Sequence, residues 1–242
     1  MRDRTTSLAL AANEREGFAA RHGVTMDAIC GRVYQRHVDR IRIKKPHVAI
    51  ANLERIFGAA LELASRKGFH SMTMRDLAEV SGLSMGALYN YIADKEMLLR
   101  MILEAVADAV ERVLEPCTPA EAGDARARLR GLIRRHVLMT EAMQPWFAFA
   151  FMEVKAFHKE AREHAIAEEL RTEALLAEAL EAGVASGVFR PLDPTVTAAL
   201  VKPLLQDWYV KRWKHRRRGI APEDYAETVV DFIERSIGAG IR

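Results

Sequence analysis

Cysteine is scarce in this chain: Cys30 and Cys117 are the two among 242 residues. Two thiols give no disulfide framework. No apolar run approaches the roughly 20 residues that a membrane helix needs. The apolar patch from Leu8 to Ala12, behind Arg2 and Arg4, is too short for a signal peptide and runs straight into Asn13 and Glu14. The expected location is therefore the cytoplasm, with no membrane partner. From residue 124 onward no segment alternates with the period of a strand, and the expected fold class is all-α. The chain also lacks a phosphate-binding glycine loop, a Gly-x-Ser-x-Gly elbow and a His-Glu-x-x-His pair. Its acidic residues fall on exposed helix faces rather than in pairs inside apolar runs, so no catalytic site and no cofactor are expected. His22, Cys30 and His37 have no recognisable metal-ligand spacing, and no metal site is expected.

What is present is ordinary for a globular protein: 50% hydrophobic and 29% charged residues. The length allows one large domain or two smaller ones. The net charge of +3 is unevenly placed. Residues 1–50 hold 10 Lys/Arg against 5 Asp/Glu, residues 51–100 hold 6 of each, and residues 151–200 hold 5 against 9. Any partner that needs cations would find them first in the N-terminal fifth.

The stretch from Ser71 to Lys95 organises the rest. Thr73 and Asp76 read as a helix N-cap with its capping-box partner, and Met72 can staple onto Leu77. Leu77, Ala78 and Val80 give a short helix an apolar face. Gly82 can take the positive φ of a tight turn. Ser84 then caps a second short helix, in which Ala87 and Leu88 face inward. Two short helices joined by a glycine turn form a helix-turn-helix unit, whose second helix enters the DNA major groove.

Residues 48–115 resemble the DNA-binding domain of the tetracycline-repressor (TetR/AcrR) family of bacterial transcription regulators. The resemblance is carried by Gly68-Phe69, by Met72-Thr73-Met74-Arg75-Asp76-Leu77-Ala78, by Gly82-Leu83-Ser84, by Gly86-Ala87-Leu88-Tyr89, and by Asp94-Lys95-Glu96 with Leu98-Leu99. It implies a three-helix DNA-binding head followed by a helical domain for effector binding and dimerisation. The expected organisation is an extension over 1–45, a helix-turn-helix domain over 46–95, a connecting helix over 96–116 and a C-terminal domain over 117–242.

On the reading helix, Ser84, Met85, Gly86 and Ala87 face base edges, where small residues let the backbone approach closely. The family often has Lys, Arg or Pro where Met85 stands, and Arg or another polar residue at Asn90. Met85 can touch a thymine methyl and Asn90 can pair with adenine. By resemblance Tyr89 and Lys95 contact phosphate, and Thr73 is placed to do the same. The head is not itself basic, so further phosphate attraction must come from elsewhere. Residues 1–12 look disordered. In the 13–45 extension, Ile29, Val33, Val38 and Ile41 hint at a helix. Arg32, Arg36 and Arg40 recur at helical spacing ahead of Arg42, Lys44 and Lys45, as either a solvated basic helix or an arm on DNA phosphates.

Helices are expected from Pro46 to a stop at Gly68, from Asp94 to Pro116, over about 124–142, up to about His158, over about 160–185, over about 194–216 and over about 222–237. Pro203 should kink or restart the helix that contains it. The resemblance implies a homodimer built on the last two helices, with Leu200, Leu204, Tyr225, Val229, Phe232 and Ile233 as interface candidates. It implies a near-palindromic double-stranded operator and a small effector. The aromatic run near Met139, Met143, Trp146, Phe147, Phe149, Phe151 and Met152 is either interhelical core or the soft wall of an apolar effector cavity. Arg135, His136 and His158 are the polar groups placed to orient a ligand. The basic run from Lys211 to Arg218 is either a solvated helix end or a rim whose Arg216, Arg217 and Arg218, with Trp213 beside them, would suit the phosphates of an acyl-CoA. Fatty acids, aromatic acids and lipophilic drugs fit an apolar cavity equally well. The expected function is a repressor released from its operator by such a molecule, with an effector-independent architectural DNA-binding protein as the alternative.

Overall fold

The computed structural model describes residues 16–238. The apolar patch at residues 8–12 and the expectation of disorder over 1–12 lie outside them. Every regular element among the described residues is a helix, and an isolated antiparallel bridge joins Phe189 to Gly238. None of these helices is long and apolar enough to cross a membrane. The chain forms two compact units. One runs through Asp108 and takes in Pro145–Ala165; the other comprises Ala109–Gln144 and Ile166 onward.

The first unit begins with α1 (16–22) and α2 (Met26–Arg36). From residue 16 the extension is thus folded, with Thr25 accepting from the Ala28 amide to cap α2. Phe18, Ile29, Cys30, Val33 and Tyr34 are buried, and α2 packs on α3 (Pro46–Lys67). Burial first, and then Glu54 and Asp27, push the Cys30 thiol up to about 12, so it is an inert core thiol. Ile41 is buried as its phase suggests, whereas Val38 is exposed beyond the end of α2.

α3 starts at Pro46, which fits a first turn because its missing N–H would have no helical partner there. Leu53, Ile56, Phe57, Ala60 and Leu61 form its buried face. Then come α4 (Met74–Ser81), α5 (Met85–Leu88) and the start of α6 (Lys95–Leu114). α8 (Gln144–Glu153), a 3₁₀ turn (Val154–Ala156) and the first residues of α9 (Lys159–Ala185) complete the unit. The aromatic helix is therefore part of the reading head's core. The Phe57 and Trp146 rings lie 5.1 Å apart, and Phe69 meets Phe149 edge-on at 5.3 Å. Glu153 accepts from the Phe69 amide at 3.0 Å.

The second unit centres on α7 (Ala125–Ala142), which packs against α10 (Pro194–Val210) and α12 (Pro222–Ile237). Leu129, Leu132, Ile133 and Val137 of α7 meet a core completed by Val201 and Leu205 of α10 and Val229 and Ile233 of α12. Arg130 clamps Glu234 with a forked pair of bonds, one of 2.6 Å. The remainder of α9 also belongs here. Its end admits Phe189 because Gly183 has no Cβ; a Cβ there would overlap that ring. α10 continues through Pro203 without restarting, and breaks instead at Lys211 before the short α11 (Arg212–Arg217).

Candidate nucleic-acid interface

Local chemistry builds the reading head. Thr73 caps α4: its hydroxyl accepts from the Asp76 amide at 3.1 Å, while Asp76 accepts from the Thr73 amide at 2.7 Å. Lys67 stands 2.6 Å from the same carboxylate. These hydrogen bonds, from Lys67 first and then Thr73, hold the Asp76 carboxyl below its ordinary range. α4 ends on Gly82, whose φ of 66° is left-handed and would strain a side chain. Its carbonyl accepts from Arg55 of α3 at 2.8 Å, which fixes the turn against the brace helix.

Ser84 caps α5 by accepting from the Ala87 amide at 3.2 Å. Leu88 is fully buried and anchors the helix. Tyr91 is buried just after it, its hydroxyl accepting from Asn52 at 2.8 Å. Gly86 and Ser84 are exposed, Met85 and Ala87 are half-buried, and Tyr89 is an exposed aromatic. Asn90 is half-buried, and its carbonyl accepts from the Arg42 amide at 2.9 Å. A short helix thus presents a capped N-terminal turn of small side chains, with Tyr89 and Asn90 a turn later.

The cations divide into exposed and engaged. Arg32 of α2 is held by Asp108 of α6 at 2.6 Å, while Arg36, nearly half exposed, lies 3.5 Å from Asp108 and 3.9 Å from Glu104. Lys44 donates to the carbonyls of Val38 and Ile41. Lys95 donates to the His70 carbonyl at 2.8 Å and stands 5.0 Å over the Phe69 ring. Burial draws it below an ordinary lysine value. Arg40, Arg42 and Lys45 are exposed.

Two family models match the chain: residues 56–102 fit the bacterial regulatory proteins of the tetR family, and residues 122–237 fit a tetracyclin repressor-like C-terminal domain. Over 179 residues the chain is 31% identical to the HTH-type transcriptional repressor KstR2 of Rhodococcus jostii (strain RHA1), spanning 72% of this chain and 85% of that protein. The chain belongs to the TetR family of transcriptional regulators. Its relatives are regulators, not enzymes. The fold is similar to that of the TetR regulator PfmR from Thermus thermophilus, with a TM-score of 0.62 and 29% identity, covering 77% of this chain and 99% of PfmR. It is also similar to AibR, solved with isovaleryl coenzyme A and operator DNA, at a TM-score of 0.63 and 24% identity over 75% of this chain and 97% of AibR. Nearly whole TetR neighbours are thus matched by about three quarters of this chain, and the tetR-family model begins ten residues after Pro46.

The residues expected around an effector fall in both units. Met139 and Met143 are buried in the second unit, while Trp146 and Phe147 are buried in the first. Phe151 is exposed. His158 is exposed and caps α9, its Nδ1 accepting from the Ala161 amide. Arg135 is committed to Glu121, which also accepts from Arg128. Arg216, Arg217 and Arg218 are exposed around the end of α11. α8 buries three rings of the aromatic run, Trp146, Phe147 and Phe149.

The expected dimer residues divide too. Leu200 is 68% exposed and Phe232 60% exposed, with Val196 exposed one turn before Leu200. Leu204 is half-buried, and its carbonyl accepts from Tyr225 at 2.6 Å. Val229 and Ile233 are turned inward, because α12 packs that face on α7. Sequence reasoning missed Lys202, which is 4% exposed. The available signal was a lysine at the buried phase of Ala198, Val201, Leu205 and Trp208.

Proposed function

We propose that this TetR-family regulator is a cytoplasmic repressor that binds a near-palindromic operator as a homodimer and is released by a mostly apolar small molecule. The observation that carries the DNA reading is the exposed, Ser84-capped turn of α5, braced by Leu88, Tyr91 and the Arg55–Gly82 bond. In this reading Ser84, Met85, Gly86, Ala87 and Asn90 meet base edges, while Thr73, Tyr89 and Lys95 meet phosphate. Arg42 and Lys45 add charge beside them. Lys44 contributes charge while its donors stay on the Val38 and Ile41 carbonyls.

The dimer surface in this reading is the exposed part of α10 and α12, with Val196, Leu200 and Phe232 at its centre. Isolated apolar side chains on a surface need no explanation, but three large ones on two packed helices suit an interface. A twofold dimer sets two reading helices about 34–36 Å apart on successive major-groove faces. A ligand shifts that spacing only by its differential affinity for the two states. The relation to AibR makes acyl-CoA one candidate class, and free fatty or aromatic acids are others. The effector site in this reading lies among α7, α9 and α10 of the second unit rather than beside α8.

The test is selection from random duplexes, followed by sizing of the complex. A twofold-related sequence bound by two chains is expected. Leu200→Arg with Phe232→Glu should give a monomer that has lost the operator. Enrichment of sequences without twofold symmetry, or a monomeric complex, would refute the reading.

A further inference from the structure

Three helices of the second unit bring together a partly buried polar cluster, with the Tyr209 ring 6.5 Å from His136. Lys202 of α10 is 4% exposed, and its Nζ stands 3.2 Å from Glu169 Oε2 of α9. The Glu169 side chain is 40% exposed and also accepts from Gln206 at 2.5 Å. His136 of α7 is 2% exposed, and its Nδ1 is buried without a hydrogen-bond partner. Burial first, and then the Lys202 cation, hold the imidazole well below its ordinary value, so the ring is neutral. Burial also lowers Lys202, with Glu169 and then the more distant Glu173 opposing. Ile133 and Val137 of α7 and Val201 and Leu205 of α10 are buried around these turns.

We infer that Lys202 and His136 form the head-group site for an effector that carries a free carboxylate on an apolar body, with Glu169 occupying the place its carboxylate takes. This rests on the effector reading above and names the chemical class. A buried ammonium needs a counter-charge, because an unpaired one is far costlier than a paired one. Glu169 supplies it from a partly exposed position, so it can swing to water and stay solvated. An entering carboxylate then replaces it on Lys202 and accepts from His136 when the neutral ring carries its proton on Nδ1. That satisfies an atom which the fold leaves unpaired, and orphaned buried polar atoms in native proteins call for such an explanation. An ester or thioester carbonyl has no charge to offer Lys202 once Glu169 leaves. The apolar neighbours require the rest of the molecule to be apolar.

The test is calorimetric titration of the full chain at pH 7 with octanoate, laurate and phenylacetate, beside methyl laurate and lauroyl-CoA. At least one acid should bind, and the ester and thioester should bind about tenfold or more weakly, as expected for losing a charge-assisted hydrogen bond. Lys202→Met should weaken the acid by about tenfold or more for the same reason while keeping the far-ultraviolet spectrum. Glu169→Gln should tighten it by removing the competing carboxylate, an effect that a merely structural ion pair would not produce. If Lys202→Met fails to fold, the sign of the Glu169→Gln effect decides. Equal binding of acid and ester, unchanged binding by a folded Lys202→Met, weaker binding by Glu169→Gln, or no binding by any acid would overturn the assignment. Titration needs no DNA: an acid that binds but leaves operator affinity unchanged would refute release and leave the site standing.

Discussion

Arg32 Nε donates to Asp108 Oδ2 at 2.6 Å, tying α2 to α6 within the first unit. The bond makes α2 part of the folded head and withdraws a cation from the DNA-facing count. Arg36 lies 3.5 Å from Asp108, and His37 Nε2 lies 2.8 Å from Glu104 one turn earlier on α6. Asp108→Ala should lower stability to urea by about 1–3 kcal/mol, because it strands a partly buried guanidinium. The double variant with Arg32→Ala should cost less than the sum of the two. Arg32→Ala should leave the salt slope of operator binding unchanged, whereas Arg42→Ala and Lys45→Ala should each reduce it by roughly 1. An unchanged slope for the latter two would remove them from the interface.

Tyr89 and Lys95 share a proposed phosphate role but differ in what else they hold. Tyr89 is exposed, so Tyr89→Phe should weaken all duplexes alike and leave the melting temperature in place. Lys95 also bonds the His70 carbonyl and covers Phe69. Lys95→Ala should therefore cost about 1 kcal/mol of stability as well as DNA affinity. Asn90→Ala should relax preference at particular bases by about 1–3 kcal/mol. Melting curves and binding to operator and scrambled duplexes separate the three.

Glu121 provides a pH signature in the second unit. Its burial would raise the carboxyl, but Arg135, the Thr118 amide and Arg128 outweigh that and lower it. A carboxyl lowered on folding stabilises above its unfolded value, roughly 4.3. That contribution disappears as pH falls through the lower folded value. Acid unfolding of Glu121→Gln should therefore show a smaller loss of stability below about pH 5 than the parent chain. Equal acid sensitivity would mean that the triad contributes no linkage.

Much of the reading head was legible because local signals decide it. Thr73 with Asp76, Gly82 and Ser84 are capping and turn residues whose partners lie within a few positions, and each is found in that role. The limits of α7, α9 and α12 followed from apolar period, proline and glycine in the same way. What was not legible depends on long-range pairing. Nothing near Arg32 announces Asp108, 76 positions away. Within the basic run at 211–218, Arg212 is clamped by Glu141 and Lys214 by Asp207, pairings that the run itself does not announce. Lys202 shows how a tertiary setting turns an ordinary charge into a buried one.

Trp146 is the residue whose surroundings most change the reading. It is 2% exposed and its ring lies 5.1 Å from Phe57 on the brace helix. Truncating a buried aromatic costs about 3–5 kcal/mol through lost transfer energy and an unfilled cavity. Trp146→Ala should therefore destabilise the reading head and weaken operator binding without any effector present. Met152→Ala, on the same helix but 64% exposed, should change stability by no more than about 0.5 kcal/mol. Urea unfolding with operator titration of both variants tests this. Were Trp146→Ala to keep full stability and operator affinity and lose only the response to a ligand, the aromatic helix would be an effector wall and not core. The Phe57–Trp146 and Phe69–Phe149 ring pairs argue for core, since both place α8 rings against residues that position α3 and the entry to α4.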